Sequence, residues 1–104
     1  STALHKAAEK GHLEVVKLLI EKGSNISAKD KDDSTALHKA AGGGHLEVVK
    51  FLIEKGSNVR AKDKDDSSAL HKATEKGHLE VVKLLIEKGA DVAFRSSKTS
   101  NREG

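Results

Sequence analysis

At 104 residues, 36% of them apolar, the chain is one domain's worth and too short for a second independent core. Its formal charge of +3 sets 19 Lys and Arg against 16 Asp and Glu, interleaved in sign, which argues against a phosphate-binding stripe and so against nucleic acid as partner. No run of 18 apolar residues marks a membrane span, no charged-then-apolar leader opens at Ser1, and the lack of cysteine removes thiol chemistry, which leaves an intracellular location as the default expectation.

The block Ala-Leu-His-Lys stands at Ala3, Ala36 and Ala69, 33 residues apart each time. Residues 1–29 agree with 34–62 at 24 of 29 positions, and 30–62 with 63–95 at 23 of 33, so the chain is a repeat array. Stacked units touch only their neighbours and build a long side surface in place of a closed pocket. Binding is therefore favoured over catalysis.

The first unit, 1–29, enters directly at a helix and lacks the arm that opens the others. Thr2 stands before Ala3 as an N-cap, a role repeated by Thr35 and Ser68. In the second unit, 30–62, a short helix over Ala36–Ala41 ends at Gly44, and a second helix follows through Leu46, Val49, Leu52 and Ile53, whose spacing marks one helical face. Glu47 in its first turn and Lys55 near its end oppose the helix dipole, and Gly56 supplies a left-handed stop. Ser57–Ser67 then turns polar and reads as an extended arm with a tight turn. The third unit, 63–94, repeats the pattern. The tail 95–104 has no helix period and no apolar residue, and is expected to be a disordered basic linker. The inner helices are rich in alanine (Ala7, Ala8, Ala40, Ala41, Ala73), which lets successive units approach closely. The expected class is an all-α repeat solenoid.

These residues resemble the ankyrin repeat, whose unit carries a Thr-Pro-Leu-His motif followed by Gly-His and a Val-Val-x-Leu-Leu-like helix. Here the motif stands as Thr2-Ala3-Leu4-His5, Thr35-Ala36-Leu37-His38 and Ser68-Ala69-Leu70-His71, followed by Gly11-His12, Gly44-His45 and Gly77-His78. The resemblance covers about 1–94 and implies a stack of antiparallel helix pairs with projecting β-hairpin-like arms. It also implies that His38 returns a hydrogen bond across the helix start. Two departures recur. Alanine replaces the motif proline, at no cost in hydrogen bonds. Asp33 and Asp66 stand where the family places a glycine of positive φ, at some cost in strain.

Chemistry beyond binding finds little support. The six histidines occupy two repeat positions, His5, His38 and His71 and then His12, His45 and His78, without a third ligand at zinc-like spacing. Asp30-x-Asp32-x-Ser34 and its copy at Asp63 open like a calcium loop, but Thr35 and Ser68 replace the turn glycine and Ala41 and Thr74 replace the bidentate glutamate. Gly42-Gly43-Gly44 lacks the Lys-Ser or Lys-Thr of a phosphate loop. Asp33, Ser34 and His38 are the residue types of a hydrolase triad without grounds for its geometry. No enzyme activity, cofactor or metal is expected.

By resemblance, a protein or peptide partner meets the arm tips and the exposed side of each first helix, which together form the concave face. That surface is Lys6 and Lys10, then Lys31, Asp32, Ser34, Lys39, Gly42, Gly43 and Lys62, then Lys64, Asp65, Ser67, Lys72, Glu75, Lys76 and Arg95. Lys6, Lys39 and Lys72 form one ladder and Lys29, Lys62 and Arg95 another, which suggests an acidic or phosphorylated partner. Gly42 and Gly43, standing where the other units have Glu-Lys, open a notch or reflect neutral drift. The alternative function is a structural spacer or consensus-like scaffold in a longer array, since most face positions repeat and none is Tyr or Trp. A monomer is expected, with weak end-to-end association through uncapped ends.

Overall fold

The computed structural model describes residues 2–89. Six short helices follow in order: α1 Ala3–Lys10, α2 Leu13–Glu21, α3 Ala36–Gly43, α4 Leu46–Glu54, α5 Ala69–Lys76 and α6 Leu79–Glu87. Each odd helix reverses into the next even one across two residues, with Gly11, Gly44 and Gly77 at φ 73–77° making the turn. The inner helices stack α1 on α3 and α3 on α5, and the outer helices stack α2 on α4 and α4 on α6.

Local chemistry places the helix starts. Thr2, Thr35 and Ser68 each accept the backbone N–H of the histidine three residues on, and the histidine Nδ1 accepts the cap's own N–H in return. This reciprocal box satisfies two otherwise orphaned donors. The expected cap residues and the returning histidine bond are thus all observed.

Alanine makes the stack possible. Ala7, Ala8, Ala36, Ala40, Ala41, Ala69 and Ala73 are buried, so inner helices meet almost backbone to backbone. Leu4, Leu37 and Leu70 from the inner helices and Val16, Val48, Val49, Leu52, Val81, Leu84 and Leu85 from the outer ones complete one continuous core. At roughly 25 cal/mol per Å², the burial between units is what a single unit, with no neighbour to stack on, has to forgo.

The buried face of α4 is wider than its spacing suggested. Val48 is 1% exposed although it lies off the Leu46, Val49, Leu52 and Ile53 stripe. Val81, the same position on α6, is 2% exposed, so the position is buried wherever the outer helix of a preceding unit, α2 or α4, packs against it. Val15 of α2, at the equivalent position, is 46% exposed because no outer helix precedes α2 among the described residues. Leu18 of α2 and Leu79 and Ile86 of α6 are likewise exposed.

Arms link each outer helix to the next inner one. Asp30 N–H donates to the Ser34 carbonyl and Asp33 N–H to the Asp30 carbonyl, closing a tight turn, and Asp63, Asp66 and Ser67 repeat both bonds. Among the described residues no strand extends these turns, so the hairpin-like arm is its tip alone. Asp33 and Asp66 adopt φ of 62° and 63°, the left-handed conformation expected where the family carries glycine. The tips of adjacent arms are joined by one backbone bond, from Lys64 N–H to the Asp32 carbonyl.

Candidate functional site

Between the inner helices and the arm tips runs a groove of about 440 Å³. Nine of the expected surface residues line it: Asp32, Ser34, Lys39, Gly42, Gly43, Lys64, Asp65, Lys72 and Lys76. Glu9, His38 and Asp63 complete the wall. Lys6, Lys10, Lys31, Lys62, Ser67 and Glu75 lie outside it. Lys62 instead faces Asp66 at 3.6 Å in an exposed pair, and the Ser67 carbonyl accepts from His38 Nε2 at 2.9 Å. Arg95 and the tail 95–104 lie outside the described residues.

The aspartates at the base of each arm organise the groove. Asp30 Oδ1 accepts the N–H groups of Asp32 and Ser34 at 2.9 and 3.0 Å, while its Oδ2 lies 3.4 Å from the Lys39 ammonium. Asp63 does the same with Asp65, Ser67 and Lys72. The Asp-x-Asp-x-Ser spacing therefore serves an intra-arm turn, with the carboxylate aimed at its own backbone and a lysine on the next inner helix. Burial opposes ionisation of Asp30, but the Ser34 and Asp32 amides and the Lys39 charge outweigh it and hold its pKa at about 2. Burial likewise opposes ionisation of Asp63, and its amide partners and Lys72 lower its pKa.

Two of the three ladder lysines thus already have a carboxylate. Lys64 has one as well, with Asp32 2.8 Å away raising its pKa. The lining holds Lys39, Lys64, Lys72 and Lys76 against Glu9, Asp32, Asp63 and Asp65, a balanced set where a basic strip was expected. The expectation missed this because Asp30 and Lys39, or Asp63 and Lys72, meet only when the arm folds back over the following helix.

Histidine holds consecutive units in register. His5 Nε2 donates to the Ser34 carbonyl and His38 Nε2 to that of Ser67, each at 2.9 Å, so one ring caps its own helix through Nδ1 and ties it to the next arm through Nε2. A carbonyl only accepts, which places the proton on Nε2 and leaves Nδ1 free to accept. Burial lowers the pKa of His38; the Ser67 carbonyl and Asp63 oppose this, while Lys72 and Lys29 add to it. The second histidine set bridges backward, His45 Nε2 to the Glu9 carbonyl at 2.9 Å and His78 Nε2 to that of Gly42 at 3.2 Å. Their recurrence at a fixed step signalled a structural task, but not that it joins neighbouring units.

The two glycines of the expected notch differ in kind. A Cβ on Gly43 would meet the His45 ring at 2.7 Å and the Glu9 carbonyl at 3.2 Å, so Gly43 permits the close His45 bridge. Repeat 3 has Lys76 at that position, and there the matching His78 bridge is the longer of the two. A Cβ on Gly42 would meet only Lys72 Cβ, at an ordinary 3.8 Å. Gly42 alone opens the groove.

A family model for ankyrin repeats (3 copies) matches residues 4–96. The chain belongs to the ankyrin-repeat family. Ankyrin repeats are in general protein–protein interaction modules and non-enzymatic. Comparison with curated proteins finds no match. None of the helices among the described residues is long and apolar enough to cross a membrane.

Proposed function

We propose that this ankyrin array is a protein–protein interaction module that receives a partner peptide or protein surface in its concave groove. The observation that carries the reading is the groove itself: three stacked inner helices and two bonded arm tips present side chains from all three repeats on one continuous wall. Its walls are set by capped helices and buried aspartates, so little ordering is needed on binding. Lys76 and Asp65, both exposed, are the groove positions to perturb, because reversing Lys39 or Lys72 would also break a pair with a buried aspartate.

The test is photocrosslinking from two positions of the full chain, one in the groove at Lys76 and one on the outer helices at Lys83, in a cell lysate. Capture of a discrete partner from Lys76 and not Lys83, lost on Asp65→Lys, supports the reading. Capture from Lys83 alone refutes it.

A spacer role has its own support, since the histidine bridges and the Lys64–Asp32 backbone bond fix the spacing of successive units. No crosslink from either position favours it. Weak end-to-end association of copies rests on the exposed Val15, Leu18, Leu79 and Ile86; light scattering that shows a strict monomer at millimolar protein would remove it.

A further inference from the structure

We infer that the groove carries a subsite at Gly42 for a single carboxylate of the partner, an Asp or Glu side chain. This rests on the concave-groove reading and deepens it. Repeats 1 and 3 place Glu9 and Glu75 at the position that Gly42 holds in repeat 2. The array is otherwise near-identical from unit to unit, so a carboxylate at 42 would line the groove beside Lys72 as Glu9 lines it beside Lys39, without an ion pair of the kind that Asp30 makes. Glycine omits that carboxylate and leaves its space open, with Lys72 Cβ 3.8 Å from where a side chain would begin. Lys39, Lys72 and Lys76 line the groove that holds that open space.

Those lysines keep donors to spare. An ammonium has three N–H groups, and Lys39 and Lys72 each spend one on a loose 3.4 Å contact with Asp30 or Asp63. The aspartate side chains are 2–3% exposed whereas the lysine side chains are 26–30% exposed, so each pair holds its lysine at the groove wall with part of the side chain open to solvent. Lys39 lies three residues before Gly42, on the same side of α3. Of the four lysines in the balanced groove, Lys76 alone makes no ion pair among the described residues, and the open space at Gly42 lies in the same groove.

The chain supplies its own controls, because the equivalent positions in repeats 1 and 3 are already filled by glutamate. Backbone amide shifts of the full chain are followed by NMR while a blocked Gly-Glu-Gly peptide is added to millimolar concentration, with Gly-Gln-Gly as the neutral probe. Saturable shifts centred on Gly42, Lys39, Lys72 and Lys76 are expected with the glutamate peptide, weaker ones around Glu9 and Glu75, and none with the glutamine peptide. Gly42→Glu, which restores the residue of the other repeats and so keeps the fold, should abolish them. Equal shifts in all three repeats, persistence in Gly42→Glu, or no shift at all overturns the inference. A crosslinked partner that binds Gly42→Glu undiminished through the groove overturns this subsite alone; a partner held only on the outer helices overturns the groove reading beneath it.

Discussion

Replacing Asp30 by Asn keeps the shape of the side chain and removes its charge. Asn Oδ1 can still accept the Asp32 and Ser34 N–H groups, but the amide now turns an NH₂ toward the Lys39 ammonium, where a carboxylate oxygen had stood at 3.4 Å. The native pKa of about 2 against an ordinary 3.8 corresponds, at about 1.36 kcal/mol per unit, to about 2 kcal/mol at neutral pH. Lys39 is partly solvated, which trims the expected loss to about 1–2 kcal/mol. Urea unfolding at pH 7 should show that loss as a lower midpoint at unchanged slope, and thermal unfolding as a drop of about 5 to 15 °C. The sign with pH follows from the direction of the shift: a lowered carboxylate contributes fully above 3.8 and loses its contribution as pH falls toward 2. The gap between the parent chain and Asp30→Asn should therefore close across that window. A loss under about 0.5 kcal/mol at pH 7, or a gap unchanged at pH 2, would refute the argued role of this carboxylate.

The remaining expectations test the core, the histidines, the strained arms and the glycines. Leu52→Ala should cost about 2–5 kcal/mol in urea unfolding, whereas Leu18→Ala, at a side chain 52% exposed, should stay within about 0.5 kcal/mol. Because the pKa of His38 is lowered, its contribution is present above the ordinary 6.5 and is lost as pH falls below it, so stability should decline there and decline less in His38→Asn, as followed by circular dichroism. Asp33→Gly should stabilise the arm by about 0.5 kcal/mol, relief of a φ of 62° outweighing the added chain entropy; a loss in melting temperature would count against strain at that site. Gly42→Ala should add about 0.5–1 kcal/mol through helix propensity, and Gly43→Ala less, because only the second presses on His45 and its bond to the Glu9 carbonyl.

What could be read from the chain was whatever depends on near neighbours or on the repeat itself. Thr2, Thr35 and Ser68 announce helix starts because a cap bonds three residues ahead, and Asp33 and Asp66 announce positive φ because the repeat aligns them with a family glycine. Val48 escaped because the outer helix of the preceding unit covers its position, as it does for Val81 and not for Val15, and a 3.6-residue period within one helix does not show that cover. The charge state of the face escaped for a similar reason: Lys39 looks free along α3, and only the fold of the arm brings Asp30 beneath it. Gly42 and Gly43 look alike in sequence, and a histidine ring from the same repeat separates a packing glycine from an open one.

Whether the groove binds a protein is decided by crosslinking from Lys76 in the groove and from Lys83 on the outer face. A discrete protein should be captured from Lys76 alone and lost on Asp65→Lys. Capture from Lys83 alone, with the groove silent, would contradict it.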